Sequence, residues 1–154
     1  MRGLRVWVVY KITTGEFILL FSFDESGAGG ATPIAGLVRD SAGHLYGTAA
    51  DGGMAYDACP FGYAGASLGC GVVFRLDPYG NEKIVYRFHG TDGANPYGGV
   101  ILDSAGNMYG TTYMGGNANG GVVYKLTPPK PRRRALAPDT RDSGHPGWRA
   151  GSRA

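Results

Sequence analysis

The residues with the most chemical potential in this chain are two cysteines. Cys59 and Cys70 are the only ones, eleven positions apart, inside a segment (MAYDACPFGYAGASLGC) that reads as an insertion. That spacing suits a disulfide closing a short loop, which the chain-entropy picture values at roughly 3 kcal/mol. Two free thiols or a metal pair are the alternatives, and zinc would want a supporting His cluster that the segment lacks. The three histidines, His44, His89 and His145, are far from a plausible Ser or Cys nucleophile in sequence. Nucleophilic catalysis needs a base beside the nucleophile and a third group to orient it, so no catalytic residue is assigned, and no cofactor or metal site either. Asp92-Gly93-Ala94-Asn95 puts oxygen atoms into a glycine-rich loop, but calcium takes roughly six to eight of them, with more carboxylates, so the loop reads as structural. Tyr46 and Tyr109 hold equivalent places in LYGT and MYGT. Exposed, they would stack against a sugar or an aromatic ligand; a repeated strand tyrosine more commonly packs against its neighbour with its hydroxyl bonded.

Composition says what kind of element must carry these side chains. The chain has 154 residues, of which 28 are Gly and 10 are Tyr. Gly supplies the left-handed positions of tight turns, and Tyr and Val favour strands. Gly interrupts every window long enough for a helix. Charge is unevenly divided. Residues 1–128 hold 8 basic and 10 acidic side chains, a net of −2, whereas residues 129–154 hold 7 basic and 2 acidic, a net of +5. A nucleic-acid-binding domain would carry its basic patch on the folded surface, so that class is excluded. PKPRRR at 129–134 reads as a solvated tail rather than a targeting or nucleic-acid patch. No apolar run approaches the ~20 residues of a spanning helix. The start, MRGLRVWVVYK, does not have the form of a signal peptide, because Lys11 breaks its apolar run.

Internal similarity organises the rest. GVVFRLDP at 71–78 matches GVVYKLTP at 121–128, and VVYKIT at 8–13 is a third copy. PIAGLVRDSAGHLYGTAADGG at 33–53 matches PYGGVILDSAGNMYGTTYMGG at 96–116 without a gap, and FILLFSF at 17–23 matches KIVYRF at 83–88. The matched blocks keep one order. One unit therefore reads as four strands: Tyr97 to Asp103, Asn107 to Tyr113, Gly121 to Thr127, and a fourth seen as Lys83 to Phe88. Its length of roughly 45–50 residues is that of a four-stranded propeller blade. Val72, Phe74 and Leu76 alternate with Val73, Arg75 and Asp77, as a strand with two distinct faces requires. The Asp-Ser-Ala-Gly runs at 40–43 and 103–106 predict tight turns. The boundaries that follow are a partial unit over 1–32, a unit with the Cys-bearing insertion over 33–88, a second unit over 89–128, and a disordered basic tail over 129–154. The tail is of the composition that GC-rich DNA gives when read out of frame past Pro128.

The blocks DGANPYGGVILDSAGNMYGTTYMGG and GVVYKLTP resemble the tandem repeat of the GloVer-type choice-of-anchor proteins of bacteria, over about residues 8–128. The resemblance implies a secreted or surface-attached array of propeller-like units with no established activity. Cys-bearing inserts before the GVVF strand fit that picture, and a disulfide would belong to an oxidising compartment.

The sequence thus predicts an all-β protein of antiparallel four-stranded units set as blades, with a β-solenoid-like stack as the alternative. The expected role is a non-catalytic structural or interaction module outside the cell, a fragment of a longer array. A glycan- or protein-binding propeller and a propeller lyase or hydrolase are the competing classes. Expected partners are further units, or other copies of the chain, added at open blade edges.

Overall fold

In the computed structural model the described residues are 7–24, 26–53, 59, 69–129 and 149–152, and they form ten strands and no helix. A hairpin comes first, made of β1 (Val8–Thr13) and β2 (Glu16–Ser22). A four-stranded sheet follows, with β3 (Val38–Arg39), β4 (Leu45–Ala49), β5 (Val72–Leu76) and β6 (Glu82–Arg87) side by side in chain order. The last sheet contains β7 (Ile101–Leu102), β8 (Met108–Thr111), β9 (Val123–Thr127) and β10 (Arg149–Ser152), again in chain order. Every pairing of these strands is antiparallel. The first two strands of each four-stranded sheet are shorter than the sequence pattern predicts.

The two larger sheets agree residue by residue. Val38 lies opposite Tyr46 as Ile101 lies opposite Tyr109. Tyr46 lies opposite Arg75 and Gly47 opposite Phe74, just as Tyr109 lies opposite Lys125 and Gly110 opposite Tyr124. Both glycines are sterically required. A Cβ on Gly47 would sit 2.7 Å from Cζ of Phe74, and one on Gly110 would sit 2.6 Å from Cζ of Tyr124. The aromatic ring of the third strand lies across the glycine of the second, and no side chain fits between them.

The turns repeat as well. Asp40 Oδ1 accepts the His44 backbone N–H (2.9 Å), and Asp103 Oδ1 accepts those of Ala105 (2.9 Å) and Asn107 (2.8 Å). Gly43 and Gly106 take positive φ, 89° and 79°, to close the two turns. Asp77 does the same between β5 and β6, where it accepts the N–H groups of Tyr79 and Asn81.

The sheets pack face to face, and β5 is buried on both sides. Val72, Phe74 and Leu76 form one core with Val9 and Phe23 of the hairpin segment. Val73 and Val85 form the other with Met108, Tyr124 and Leu126 of the last sheet. The same aromatic contact closes both junctions. Phe23 meets Phe74 edge-on at 5.2 Å, and Phe88 meets Tyr124 edge-on at 5.1 Å. Phe23 and Phe88 are aligned residues, and each is anchored alike: Phe23 N–H donates to the Trp7 carbonyl (2.9 Å) and Phe88 N–H to that of Gly71 (3.0 Å).

Within the basic tail expected over 129–154, one described stretch is a strand. Arg149–Ser152 forms β10, which pairs with β9 from Thr127 to Tyr124, while residues 130–148 lie outside those described. A strand edge offers backbone N–H and C=O groups to any segment free of proline, whatever its side chains. Composition alone does not detect such pairing.

Candidate functional site

The hairpin packs over β5 and β6 and reaches Ala49 at the end of β4, but it leaves Leu37 and Arg39 at β3 exposed, and β1 has a strand neighbour on one side only among the described residues. Two adjoining grooves follow this step. One, of about 400 Å³, is lined by Tyr10 and Lys11 of β1 and by Leu37, Arg39, Leu45 and Leu76 across from them. The other, of about 310 Å³, runs on from it between Val8, Tyr10, Pro33, Gly36 and Leu37.

Aligned positions show how incomplete this surface is. Ile12 of β1 is 69% exposed, whereas its counterparts Leu76 and Leu126 are both 0% exposed. Tyr10 is 53% exposed against 0% for Phe74 and 3% for Tyr124. Leu37 is 41% exposed, while Val100, which holds the same place in the last sheet, is 6% exposed because β3 and β4 lie over it. Phe17 and Leu19 extend the exposed apolar face of the hairpin, and Phe17 stacks on Tyr10 at 5.1 Å. The groove is thus lined by aliphatic and aromatic side chains, with Lys11 and Arg39 at its margin.

The tyrosines singled out from the sequence sit elsewhere, one on each sheet. Tyr46 is 8% exposed and donates its hydroxyl to Asp40 Oδ2 (3.0 Å). Tyr109 donates to Asp103 Oδ2 (3.0 Å) in the same way. Lys125 Nζ lies 5.3 Å from the centre of the Tyr109 ring, a cation–π arrangement. Tyr46, buried in the junction, has little ring surface to offer a ligand, and Tyr109 is only half-buried on the outer face of the last sheet.

Electrostatics follow from these contacts. Burial works to raise the Asp40 carboxyl, but hydrogen bonds from His44 and Tyr46 outweigh it and hold the group below its usual value. Hydrogen bonding from the Asn107 side chain leads the forces that bring Asp103 down to about 2, aided by Tyr109 and Ala105 against a smaller desolvation effect. The tyrosine hydroxyls of Tyr86 and Tyr124 are raised, both first by burial, and Tyr86 further by its bond to Asp92. Glu82 is pushed up to about 7 by burial, helped by the neighbouring charge of Asp24 and opposed by Arg87. Its Oε1 is buried without a hydrogen-bond partner among the described residues.

Cys59 and Cys70 form a disulfide, with Cα atoms 4.9 Å apart; most of the insertion between them lies outside the described residues. Asp92 uses both oxygens locally, accepting the Tyr86 hydroxyl (2.6 Å) and the His89 N–H (2.7 Å). His44 Nδ1 lies 2.8 Å from Asp40 and His89 Nδ1 lies 3.4 Å from Asp92, both within turns. His145 falls outside the described residues. Sequence reasoning missed the groove and the roles of Gly47, Gly110, Phe23 and Phe88. The available signal was that the two phenylalanines align with each other while facing aligned aromatics.

No helix among the described residues is long and apolar enough to cross a membrane. No protein-family model matches the chain, and neither a curated protein nor a solved structure matches it significantly.

Proposed function

We propose that this chain is a non-catalytic structural and interaction module of a secreted or surface-attached bacterial protein, of the GloVer repeat type, whose sheets act as propeller-like blades in a longer array. The observation that carries this reading is the repeated junction: Phe23 on Phe74 and Phe88 on Tyr124 pack alike, on strands in identical register. A surface that can be used twice can be used again. Antiparallel neighbours in chain order favour blades over the stacked coils of a solenoid, which pair in parallel. The Cys59–Cys70 bridge fits an oxidising compartment. The carboxylates and histidines near the turns are engaged in holding those turns, which is a structural use. The open surface is apolar, which favours a protein partner over a glycan.

Labelling of intact source cells with a membrane-impermeant amine reagent tests the location. The chain is expected to be labelled before lysis, with Cys59 and Cys70 blocked to alkylation until a reductant is added. Labelling only after lysis, with two free thiols, would overturn the reading.

A further inference from the structure

We propose that the groove between β1 and the 33–45 segment is a docking site for a β-hairpin supplied by a partner chain built from the same kind of unit, whose second strand joins the open edge of β1. The inference deepens the reading of the chain as an interaction module and rests on it. The second junction of this molecule serves as the template. There, the surface of the last sheet equivalent to the groove is covered by the hairpin that β3 and β4 form. Val38 and Tyr46 of that hairpin pack into the shared core with Val100 and Met108, and Thr48 Oγ1 donates to the Gly98 carbonyl (2.9 Å). At the first junction the corresponding wall is Leu37, Leu45 and the carbonyl of Ala35, and nothing among the described residues lies over it.

The template also sets the register and the chemistry of the occupant. In both complete sheets the second strand puts Tyr opposite a cation and Gly opposite an aromatic ring. On β1 those two positions are Lys11 and Tyr10. The incoming strand must therefore present Tyr beside Lys11 and a glycine across from Tyr10, where any side chain would strike the ring as it would at Gly47 or Gly110. The following Thr then reaches the Ala35 carbonyl. Backbone pairing along the free edge of β1 supplies affinity, and the glycine requirement supplies specificity, in the manner of strand addition to a sheet edge.

A fluorescent peptide with the sequence of residues 96–113, titrated into the full chain, tests this. The expected result is saturable binding, with slowed amide exchange confined to Val8–Thr13 and the groove wall. Gly110→Val in the peptide should weaken binding at least tenfold, and Leu37→Asp in the protein, at an exposed position, should weaken it comparably without unfolding the chain. Absence of binding, equal binding by the Gly110→Val peptide, or unaltered binding by the Leu37→Asp protein would each overturn the proposal. None of these outcomes bears on whether the chain is exposed at the cell surface, so failure here and failure of the broader reading are told apart.

Discussion

At Glu82 a single carboxyl is held in conditions that its charge does not suit. It lies against the backbone of Gly29, half-buried, with one oxygen unbonded among the described residues, and is raised to about 7. Because the folded state holds this proton more tightly than the unfolded chain does, the stability it contributes is full below the ordinary glutamate value. That stability is lost as pH rises through about 7. Glu82→Gln should therefore raise the melting temperature at pH 8 and leave it nearly unchanged at pH 4.5; thermal melts at the two values check this, and equal effects at both would refute it. Asp103 works in the opposite sense. Its hydrogen bonds favour the ionised form, so the turn it holds weakens only in strong acid. The residue-level pattern is legible in part from the sequence, since Asp-Ser-Ala-Gly announces a turn. That Tyr46 and Tyr109 each donate to their turn aspartate six residues earlier depends on strand pairing, which no local motif encodes.

The strand pairs explain why glycine occurs inside strands, where it is otherwise disfavoured. Gly47 and Gly110 make room for Phe74 and Tyr124. Adding one methyl at Gly110 forces a buried ring to move, and overpacking of this kind costs about 1–3 kcal/mol. Gly120, with nothing within 4 Å of a built Cβ, is the natural control. Urea denaturation should show Gly110→Ala destabilised by that amount and Gly120→Ala close to wild type. The contact between sheets is testable in the same assay. Phe88 is buried between Tyr86 and Tyr124, so Phe88→Ala should cost about 3–5 kcal/mol. Phe17→Ala, on the open face, should cost far less. Comparable losses for the two would show that the junction is not the source of cohesion between sheets.

For the molecule as a whole, cohesion comes from successive sheets covering each other, and its two outer faces are not covered alike. Val123, the counterpart of the fully buried Val73, is open on the last sheet, together with Ile101 and Tyr113. Under the proposed function, these faces are the ones a further unit would cover. The disulfide ties the insertion to the start of β5, next to the Gly52–Cys70 bridge. Removing it through Cys59→Ser should lower stability by about 2–4 kcal/mol. The loss should disappear when wild type and variant are compared in reductant; a difference that persists would assign the effect to packing of the Cys59 side chain instead.

The sequence by itself determined the all-β class, the turns and the places of β1 to β9, though not the lengths of the shorter strands. Alternation with period two, glycines and Asp-led turns are local properties, and the matched blocks at 33–53 and 96–116 carry them in the same order. It also favoured a Cys59–Cys70 bridge over free thiols or a metal pair, because the eleven-residue spacing suits a short closed loop and no His cluster supports a metal. Tertiary structure decided which faces were covered. Tyr10 and Tyr124 occupy the same place in matching strings, yet one is open and the other buried, because burial depends on what lies across the sheet rather than on the residue. Tertiary structure likewise placed Arg149–Ser152 beside β9, through backbone hydrogen bonds that depend on a free edge and leave no mark on side-chain composition.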